Sequence, residues 1–377
     1  MKKLGELFEI GSGGTPSKTH PEYYRGSIPW VKTGDLKTKY LYKVEDYITE
    51  EGLKNSAAKL YDVDTVLIAM YGATIGATSI LKLAACTNQA CAAFRRSEEV
   101  LPEYLYYFLK SQKNKFVKAG VGGAQPNISI GYLKNVELDV RPITEQQKIV
   151  QILENANNIA TKYQCQYQKL DELVKARFVE MFGDFDLTRP QESWVAIKEI
   201  GTVVGGATPK TNHDEYWGGS YPWITPAELD ADSGYIYDSI RKLTKAGVES
   251  CSLQEMPVGT VILSSRAPIG KVAIAGNTFY CNQGFKNIIC KEGITPRYLY
   301  TVLLLNVEYL NSLGRGATFK EISKGIVESI RIPVPSMELQ EQFAAFVEQT
   351  DKSKAAIQKA LDEAQLLFDS LMQKYFG

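Results

Sequence analysis

The chain has 377 residues, of which 44% are hydrophobic and 23% charged, and its 43 Lys+Arg are balanced by 43 Asp+Glu. This length allows two or three domains with cores of their own, and the composition is typical of a soluble globular protein and argues against disorder. No apolar run approaches the roughly 20 residues that a bilayer span needs, and no signal-peptide core follows the N-terminus. We therefore expect a cytoplasmic protein without membrane association.

Charge is distributed unevenly along the chain. Residues 1–143 carry 19 Lys+Arg against 15 Asp+Glu, whereas residues 184–336 carry 15 against 16. Nucleic-acid-binding proteins usually present a basic surface, which a balanced total does not predict. Any binding of DNA would therefore depend on local clusters of charge and on neutral polar groups.

The strongest signal in the sequence is an internal repeat. The offset between the two copies is 193 residues in the early part and 194 later on, and the second copy ends with the last two residues of the sequence. A repeat of this length predicts a duplicated structural unit. The matching segments are Thr15-Pro16 and Thr208-Pro209, Glu22-Tyr23 and Glu215-Tyr216, Pro29-Trp30 and Pro222-Trp223, Asn88-Gln89 and Asn282-Gln283, and Phe182-Gly183 and Phe376-Gly377.

Each copy begins with a region rich in glycine, proline, aromatic and β-branched residues. Residues 63–80 and 258–274 have the pattern of a strand, a glycine turn and a second strand, and residues 102–118 and 296–313 have that of helices. We therefore predict an α+β fold with two similar mixed α/β domains, at 1–143 and 184–336.

Each copy ends in a long segment, at 144–183 and 337–377, which contains almost no glycine or proline. Apolar or small residues recur there in steps of four and three, which predicts two helices of about 40 residues, roughly 60 Å long, paired as an antiparallel coiled coil. The alternative, with each helix packed on its own domain, leaves part of the seam uncovered. The seams are Ile149, Leu153, Ala156, Ala160, Tyr163, Tyr167, Leu170 and Val174, and Phe343, Val347, Thr350, Lys354, Ile357, Leu361, Ala364 and Phe368.

Lys354 interrupts the second seam. The neighbouring Ala355 and Ala356 predict a local adjustment of the helix at this point.

A search for catalytic chemistry gives no constellation. The glycines at 11, 13 and 14 lack the Lys-Ser/Thr of a P-loop, and the six cysteines form no CxxC pair, so we expect no metal site and reduced thiols that are buried or half-buried. His20 and His213 could act as general bases, but their matched positions in polar turns favour a structural hydrogen bond. Trp30 and Trp223 are interpreted as core anchors rather than base-stacking groups.

Three loops keep their frame in both copies while their polar residues differ. A duplicated scaffold with diverged loops suits two readers of two targets, because Lys and Arg can meet phosphates or guanine, and Asn and Gln can meet adenine. Ordinary drift on a solvated surface explains the same divergence equally well. The candidate DNA-binding residues are Lys32, Thr33, Asp35, Tyr71, Gln125 and Asn127 in the first copy, and Thr225, Arg266, Arg315, Thr318 and Lys320 in the second.

The order of these parts resembles that of type I restriction-modification specificity (S) subunits. The resemblance covers nearly the whole chain and rests on the repeated block that ends in Pro-Trp, on Pro142, Glu145 and Gln146 before the first long segment, and on the two Phe-Gly ends. The second long segment begins differently, with one more residue between Pro335 and Gln340.

The resemblance implies that each globular part is a target recognition domain that reads half of a bipartite double-stranded DNA site. The helices would be spacers in a pseudo-twofold arrangement, which set the gap and bind two methyltransferase (M) subunits, with restriction (R) subunits joining that core. The chain itself would be non-catalytic and would hold no cofactor. Two rivals stay open: a scaffold or binding module for protein or carbohydrate, and an enzyme.

Overall fold

The computed structural model describes residues 1–120, 127–229, 234–266, 268–315 and 320–377. The chain divides into two compact units. The first unit comprises Met1–Cys165 and Gln358–Gly377, and the second comprises Gln166–Ile357. Two long helices pass through both ranges, because the first long helix spans Ile143–Phe182 and the second spans Met337–Phe376. Neither helix contains glycine or proline, so nothing in the sequence interrupts its backbone hydrogen bonds.

Among the described residues of the first unit, a larger sheet of five strands and a smaller sheet of four strands share a hydrophobic core. The larger sheet is mainly antiparallel, and its three central strands are buried along their whole length, which explains why they are made almost entirely of apolar and small residues. A short two-stranded pairing joins the start of this unit to the segment before the first long helix. In spatial order the strands are Ile10–Ser12, Cys91–Phe94, Val66–Ala69, Thr78–Leu81 and Tyr40–Leu41; then Tyr47–Ile48, Tyr24–Val31, Ala85–Thr87 and Leu60–Tyr61; then Lys2–Lys3 and Glu137–Leu138.

The second unit repeats this topology strand for strand, apart from one strand of the smaller sheet. The fold class predicted from the sequence is therefore confirmed in both copies. Its strands are Gly201–Gly205, Lys286–Cys290, Val261–Leu263, Val272–Ala275 and Tyr235–Ile236; then Arg241–Leu243, Trp217–Ile224 and Tyr280–Cys281; then Val195–Ala196 and Arg331–Ile332.

The predicted helices of the globular parts are present, and each is broken once. The first breaks at Gln112 and the second at Asn306, whose side-chain amide donates to the carbonyl of Val302 at 2.8 Å. Short helices complete each unit. The helices are Leu4–Leu7, Pro21–Tyr23, Thr33–Asp35, Glu50–Lys54, Gly72–Thr74, Pro102–Ser111, Lys113–Ala119 and Ile130–Asn135, then Ile197–Ile200, Asp214–Tyr216, Pro226–Glu228, Lys245–Glu249, Pro296–Leu305, Val307–Ser312 and Lys324–Ser329.

The two long helices are paired antiparallel within each unit. In the first unit, Phe368 at the end of the second long helix shares a core with Leu153 near the start of the first. In the second unit, the ring of Phe343 lies 5.3 Å from that of Phe178, between centroids. Every seam residue predicted from the sequence is buried or half-buried. The prediction of an antiparallel coiled coil is therefore confirmed.

Lys354 keeps its place in the seam, so the predicted local adjustment of the helix is wrong. Its ammonium group pairs with Asp171 of the first long helix and lies 5.4 Å from the centroid of the Tyr167 ring. Ala355 and Ala356 are exposed, and the helix continues past them without a break. A carboxylate and an aromatic face on the facing helix make the cation acceptable at this position, because both offset its partial desolvation.

A buried glutamine fixes the start of each long helix. The Gln146 carboxamide accepts from Leu101 N at 2.9 Å and donates to the carbonyls of Glu99 and Arg141, both at 2.8 Å. Gln340 makes the three matching hydrogen bonds in the second unit, to Thr295 N and to the carbonyls of Gly293 and Pro335. Both side chains are fully buried. The extra residue before the second helix therefore leaves this anchor unchanged.

Two sequence interpretations are confirmed by the smaller sheet. Trp30 and Trp223 are 5% and 2% exposed, and each indole donates to a backbone carbonyl at 3.0 Å, from Gly14 and Ala207 respectively. They are core anchors. Their buried indole N–H groups are satisfied, as aromatic residues with a polar atom require.

The histidines and cysteines take structural places, with one exception. Each of the two histidines hydrogen-bonds a glutamate two residues later, at 2.7 Å, and stacks on a tyrosine three residues later, as expected for a turn. The cysteines are all free thiols. Cys165 is exposed, which contradicts the expectation that all are buried or half-buried, because it lies on the solvent side of the first long helix.

Candidate nucleic-acid interface

Three loops of the first unit meet around one turn, Asn88-Gln89-Ala90. Asn88 N donates to the carbonyl of Val31, at the start of the Lys32 loop, and Met70 N donates to the carbonyl of Ala90, at the start of the Tyr71 loop. Ile128, next to Asn127, donates its N–H to the Met70 carbonyl at 3.0 Å. Residues far apart in sequence are thereby brought to one edge of the fold.

The same three hydrogen bonds recur in the second unit. Asn282 N donates to Ile224 O at 3.1 Å, Ser265 N to Gly284 O at 2.7 Å, and Ile322 N to Ser265 O at 2.9 Å. Because all of these bonds join backbone atoms, they place no demand on the side chains that the loops carry. The frame is thus common to both units, while the exposed residues on it are free to differ.

The repeated glutamine of this turn is exposed in both units and is held by a threonine. Thr15 Oγ1 donates to Gln89 Oε1 at 2.5 Å, and Thr208 Oγ1 donates to Gln283 Oε1 at 2.5 Å. Each threonine thereby occupies the carbonyl end of the amide. The sequence signalled these residues only as part of the repeat.

In the first unit, the structure brings Tyr71 and Asn127 together across an isolated antiparallel bridge. Both residues are exposed, Tyr71 to 43%. The matching bridge in the second unit joins Arg266 and Glu321. An aromatic and an amide in one unit therefore stand where the other has an ion pair.

In the second unit, Glu321 forms ion pairs with two cationic side chains. Its carboxylate accepts from Arg266 Nε at 3.0 Å and from Lys286 Nζ at 3.1 Å, and its backbone pairs with that of Arg315. Burial raises the pKa of the Glu321 carboxyl, but the hydrogen bonds from Lys286 and Arg266 outweigh it and bring that pKa below its ordinary value. The side chains of Arg315 and Lys320 are exposed beside this cluster.

The loops after the tryptophans are capped turns. The Asp35 carboxylate accepts from Lys32 N at 2.7 Å, and the Glu228 carboxylate accepts from Thr225 N at 2.9 Å. The Asp35 carboxylate therefore has a structural role in capping this turn, apart from the contact with DNA expected from the sequence. Lys32 pairs with Asp46, whose hydrogen bond raises the pKa of the Lys32 ammonium group, and Thr33 is half-buried in the turn.

Two of the candidates, Gln125 and Thr318, lie outside the described residues. Within the described ranges, no group of three or more His, Cys, Asp or Glu residues could hold a metal ion. No helix in the part of the chain that the structure covers is long and apolar enough to span a membrane.

Comparison with known proteins gives a consistent family. The family model for the type I restriction modification DNA specificity domain matches residues 1–169 and 192–365, that is, once in each copy. The specificity subunit of the type I restriction enzyme MjaIX from Methanocaldococcus jannaschii is 43% identical over 185 residues, and that of EcoR124I/EcoR124II from Escherichia coli is 32% identical over 164 residues.

These alignments cover 48% and 42% of this chain, and 43% and 41% of the relatives. In its matched regions the chain therefore covers less than half of the length of each of these two relatives. Among solved structures, the S subunit from M. genitalium superposes with a TM-score of 0.57 at 16% identity, covering 100% of this chain and 95% of that one. A chain from a solved structure of a type I R-M system superposes with a TM-score of 0.65 at 17% identity, covering 99% of this chain and 96% of that one.

Proposed function

Since the chain belongs to the family of type I restriction modification DNA specificity proteins, we propose that it selects the DNA site of such a complex. Residues 1–143 and 184–336 are two target recognition domains, and each reads one half of a bipartite double-stranded site. One observation carries this proposal. In both units, loops of different sequence meet around the same Asn-Gln turn, which is what two readers of different half-sites need.

The loop residues divide by chemistry. Arg266, Arg315 and Lys320 supply cations for phosphates or guanine edges in the second half-site, while Asn127 and Tyr71 present an amide and an aromatic ring to the first. Thr33 and Thr225 lie in matched turns and contact DNA through their hydroxyl groups. Lys32 and Asp35 lie in the same loop as Thr33 and contribute to the same contact with DNA.

The long helices are spacers at 144–183 and 337–377 that also bind partner subunits. Leu173 and Leu367 occupy matched positions and are 48% and 51% exposed, although neither belongs to the seam. An apolar side chain exposed at the same place in both copies suits a partner that binds twice. Two methyltransferase subunits are the partners that follow from this family, and restriction subunits join the same complex.

The chain is non-catalytic and works in the cytoplasm, where methyl transfer to adenine is carried out by its partners. The described histidines are engaged in turns, and the buried cysteines have raised thiol pKa values, about 12 for Cys91 and Cys281, which keeps them protonated. These features offer neither a general base nor a thiolate nucleophile.

Methylome sequencing of a host with and without this chain tests the proposed function. We expect one bipartite methylated motif to disappear when the chain is deleted and to return when it is supplied. An unchanged set of methylated motifs would contradict the proposal.

The spacer role has its own test. Inserting four residues near Asn157 adds about 6 Å of helix, close to two base-pair steps, so the untouched gap of the motif should lengthen by one or two base pairs. Both half-sites should keep their sequence. A gap of unchanged length would rule out the helices as the ruler.

A further inference from the structure

A cleft of about 760 Å³ opens on the first unit beside the Lys32 loop. Three cationic side chains line it, together with Tyr24, Trp30 and the exposed amide of the repeated Asn-Gln turn. Lys32 is already paired with Asp46, which is also in the lining. The other two cations, Lys18 and Arg25, are exposed and make no hydrogen bond or ion pair with any described residue.

Arg25 has a backbone conformation that favours glycine. Its φ is 59°, in the left-handed region, and Asp64 is the other described non-glycine residue with a positive φ. The matched residue in the second unit is Gly218, with a φ of 80°. The fold therefore accepts glycine at this place, and an arginine there is strained. Its side chain makes no hydrogen bond, ion pair or cation–π contact with a described residue that would offset this strain, which points to a role in binding a ligand.

The second unit treats the same region differently. The residues matched to Lys18, Arg25 and Lys32 are Thr211, Gly218 and Thr225, and none of them is charged.

An arginine enters this region of the second unit from another strand. Arg241 pairs with Trp223 in the smaller sheet, at the position that Asp46 occupies in the first unit. Its guanidinium carbon lies 3.5 Å from the centroid of the Trp217 ring and 5.3 Å from that of Trp223. That cation is held against the protein's own aromatic rings, whereas Lys18 and Arg25 are free to meet a ligand.

We propose that this cleft binds the sugar-phosphate backbone of DNA beside the half-site read by the first domain, with Arg25 and Lys18 as the phosphate contacts. The inference rests on the proposed function. A guanidinium and an ammonium group both bind phosphate oxygens through charge-assisted hydrogen bonds. Reading a base edge requires a side chain that is held in one orientation. The Arg25 side chain has no hydrogen bond or ion pair with a described residue that would fix its orientation. The backbone contacts of the two domains are therefore unequal.

The test measures DNA affinity against salt concentration for the full chain assembled with its methyltransferase subunits. The probe is duplex DNA that carries the motif found by methylome sequencing. Arg25→Gly restores the residue of the second unit, so it should lower the slope of log affinity against log salt by about 0.9, the value for one phosphate. The same variant should unfold at a higher temperature, because it removes the strained backbone. Lys18→Thr should lower the slope by a similar amount.

Arg96→Gly is the matched control, because Arg96 is exposed in the same unit but does not line this cleft. Its salt slope should equal that of the wild type. An equal fall for Arg96→Gly and Arg25→Gly would assign the effect to total charge and overturn the proposal. A relaxed preference at one base of the first half-site would make Arg25 a base contact instead. A lower unfolding temperature for Arg25→Gly would give Arg25 a structural role.

The two proposals fail in different ways. If the wild-type complex does not bind the motif, the proposed function itself is wrong. If the wild type binds with a normal salt dependence and Arg25→Gly leaves that dependence unchanged, only the phosphate contact is refuted.

Discussion

At one bridge between two loops, the first unit has Tyr71 opposite Asn127 and the second has Arg266 opposite Glu321. The backbone bonds around these bridges are the same in both units, and so are the buried tryptophans and the glutamines that begin the long helices. In this fold, the residues that hold the architecture are therefore separate from the residues exposed on the loops. Backbone hydrogen bonds and buried anchors carry the architecture, so exposed residues can change their charge without changing the frame.

The largest expected effect concerns what the two units share. Gln146→Leu removes a carboxamide and leaves Leu101 N and the carbonyls of Glu99 and Arg141 without this partner in a buried place. We expect a loss of about 2–3 kcal/mol of unfolding free energy, measured by urea denaturation.

Gln340→Leu should cost about the same, because it breaks the equivalent bonds. Gln147→Leu is the control, since Gln147 is exposed on the same helix turn, and it should change stability by less than about 0.5 kcal/mol. If one anchor were costly and the other neutral, the units would not share their support.

The next effect concerns what the two units do not share. Arg266→Ala or Lys320→Ala should change the bases accepted in one half of the methylated motif, by about 1–3 kcal/mol of discrimination for each base contact. Lys32→Ala or Asn127→Ala should change the half-site read by the first domain and leave the half-site read by the second domain unaltered. Each pair serves as the control for the other. Uniform weakening on all DNA would instead identify these residues as phosphate contacts.

The smallest effect is electrostatic and belongs to the second unit alone. Because the pKa of Glu321 is lowered in the folded chain, this group stabilises the fold above its ordinary pKa of 4.5 and loses that contribution as the pH falls through the lowered value. The difference in unfolding free energy between the wild type and Glu321→Gln should therefore shrink below about pH 4.5.

This contribution should not exceed about 1 kcal/mol, because the Glu321 side chain is 34% exposed and its ion pairs are screened by solvent. Asn127→Ala is the matched variant in the first unit, where the residue does not titrate. Its effect on stability should be the same at pH 3.5 and pH 7. A difference for Glu321→Gln that grows on acidification would contradict the assigned ion pairs.

The sequence predicted the features that local patterns encode. The seven-residue spacing from Ile149 to Val174 gave the helices and their pairing, and the repeated Pro-Trp blocks gave the core anchors. Lys354 was misjudged, because its partner Asp171 lies on the other helix and spacing along one helix does not reveal it.

The candidate site was only partly predictable. Divergence between the copies singled out the loops of Lys32, Tyr71 and Asn127, but their meeting around Asn88 depends on strand pairings between distant segments. Arg25 was missed, although its alignment with Gly218 was a readable signal of a left-handed backbone. Glu321 and Lys286 were missed because each acquires its role only through its partners.

One measurement tests most directly the claim that the two units read DNA separately on a common frame. Residues 1–143 are replaced by a second copy of residues 184–336, and the chain is expressed with the methyltransferase subunits proposed as its partners before methylome sequencing. We expect a motif whose two halves are both the half-site of the second domain. A motif that stays asymmetric, or that still contains the half-site of the first domain, would contradict it.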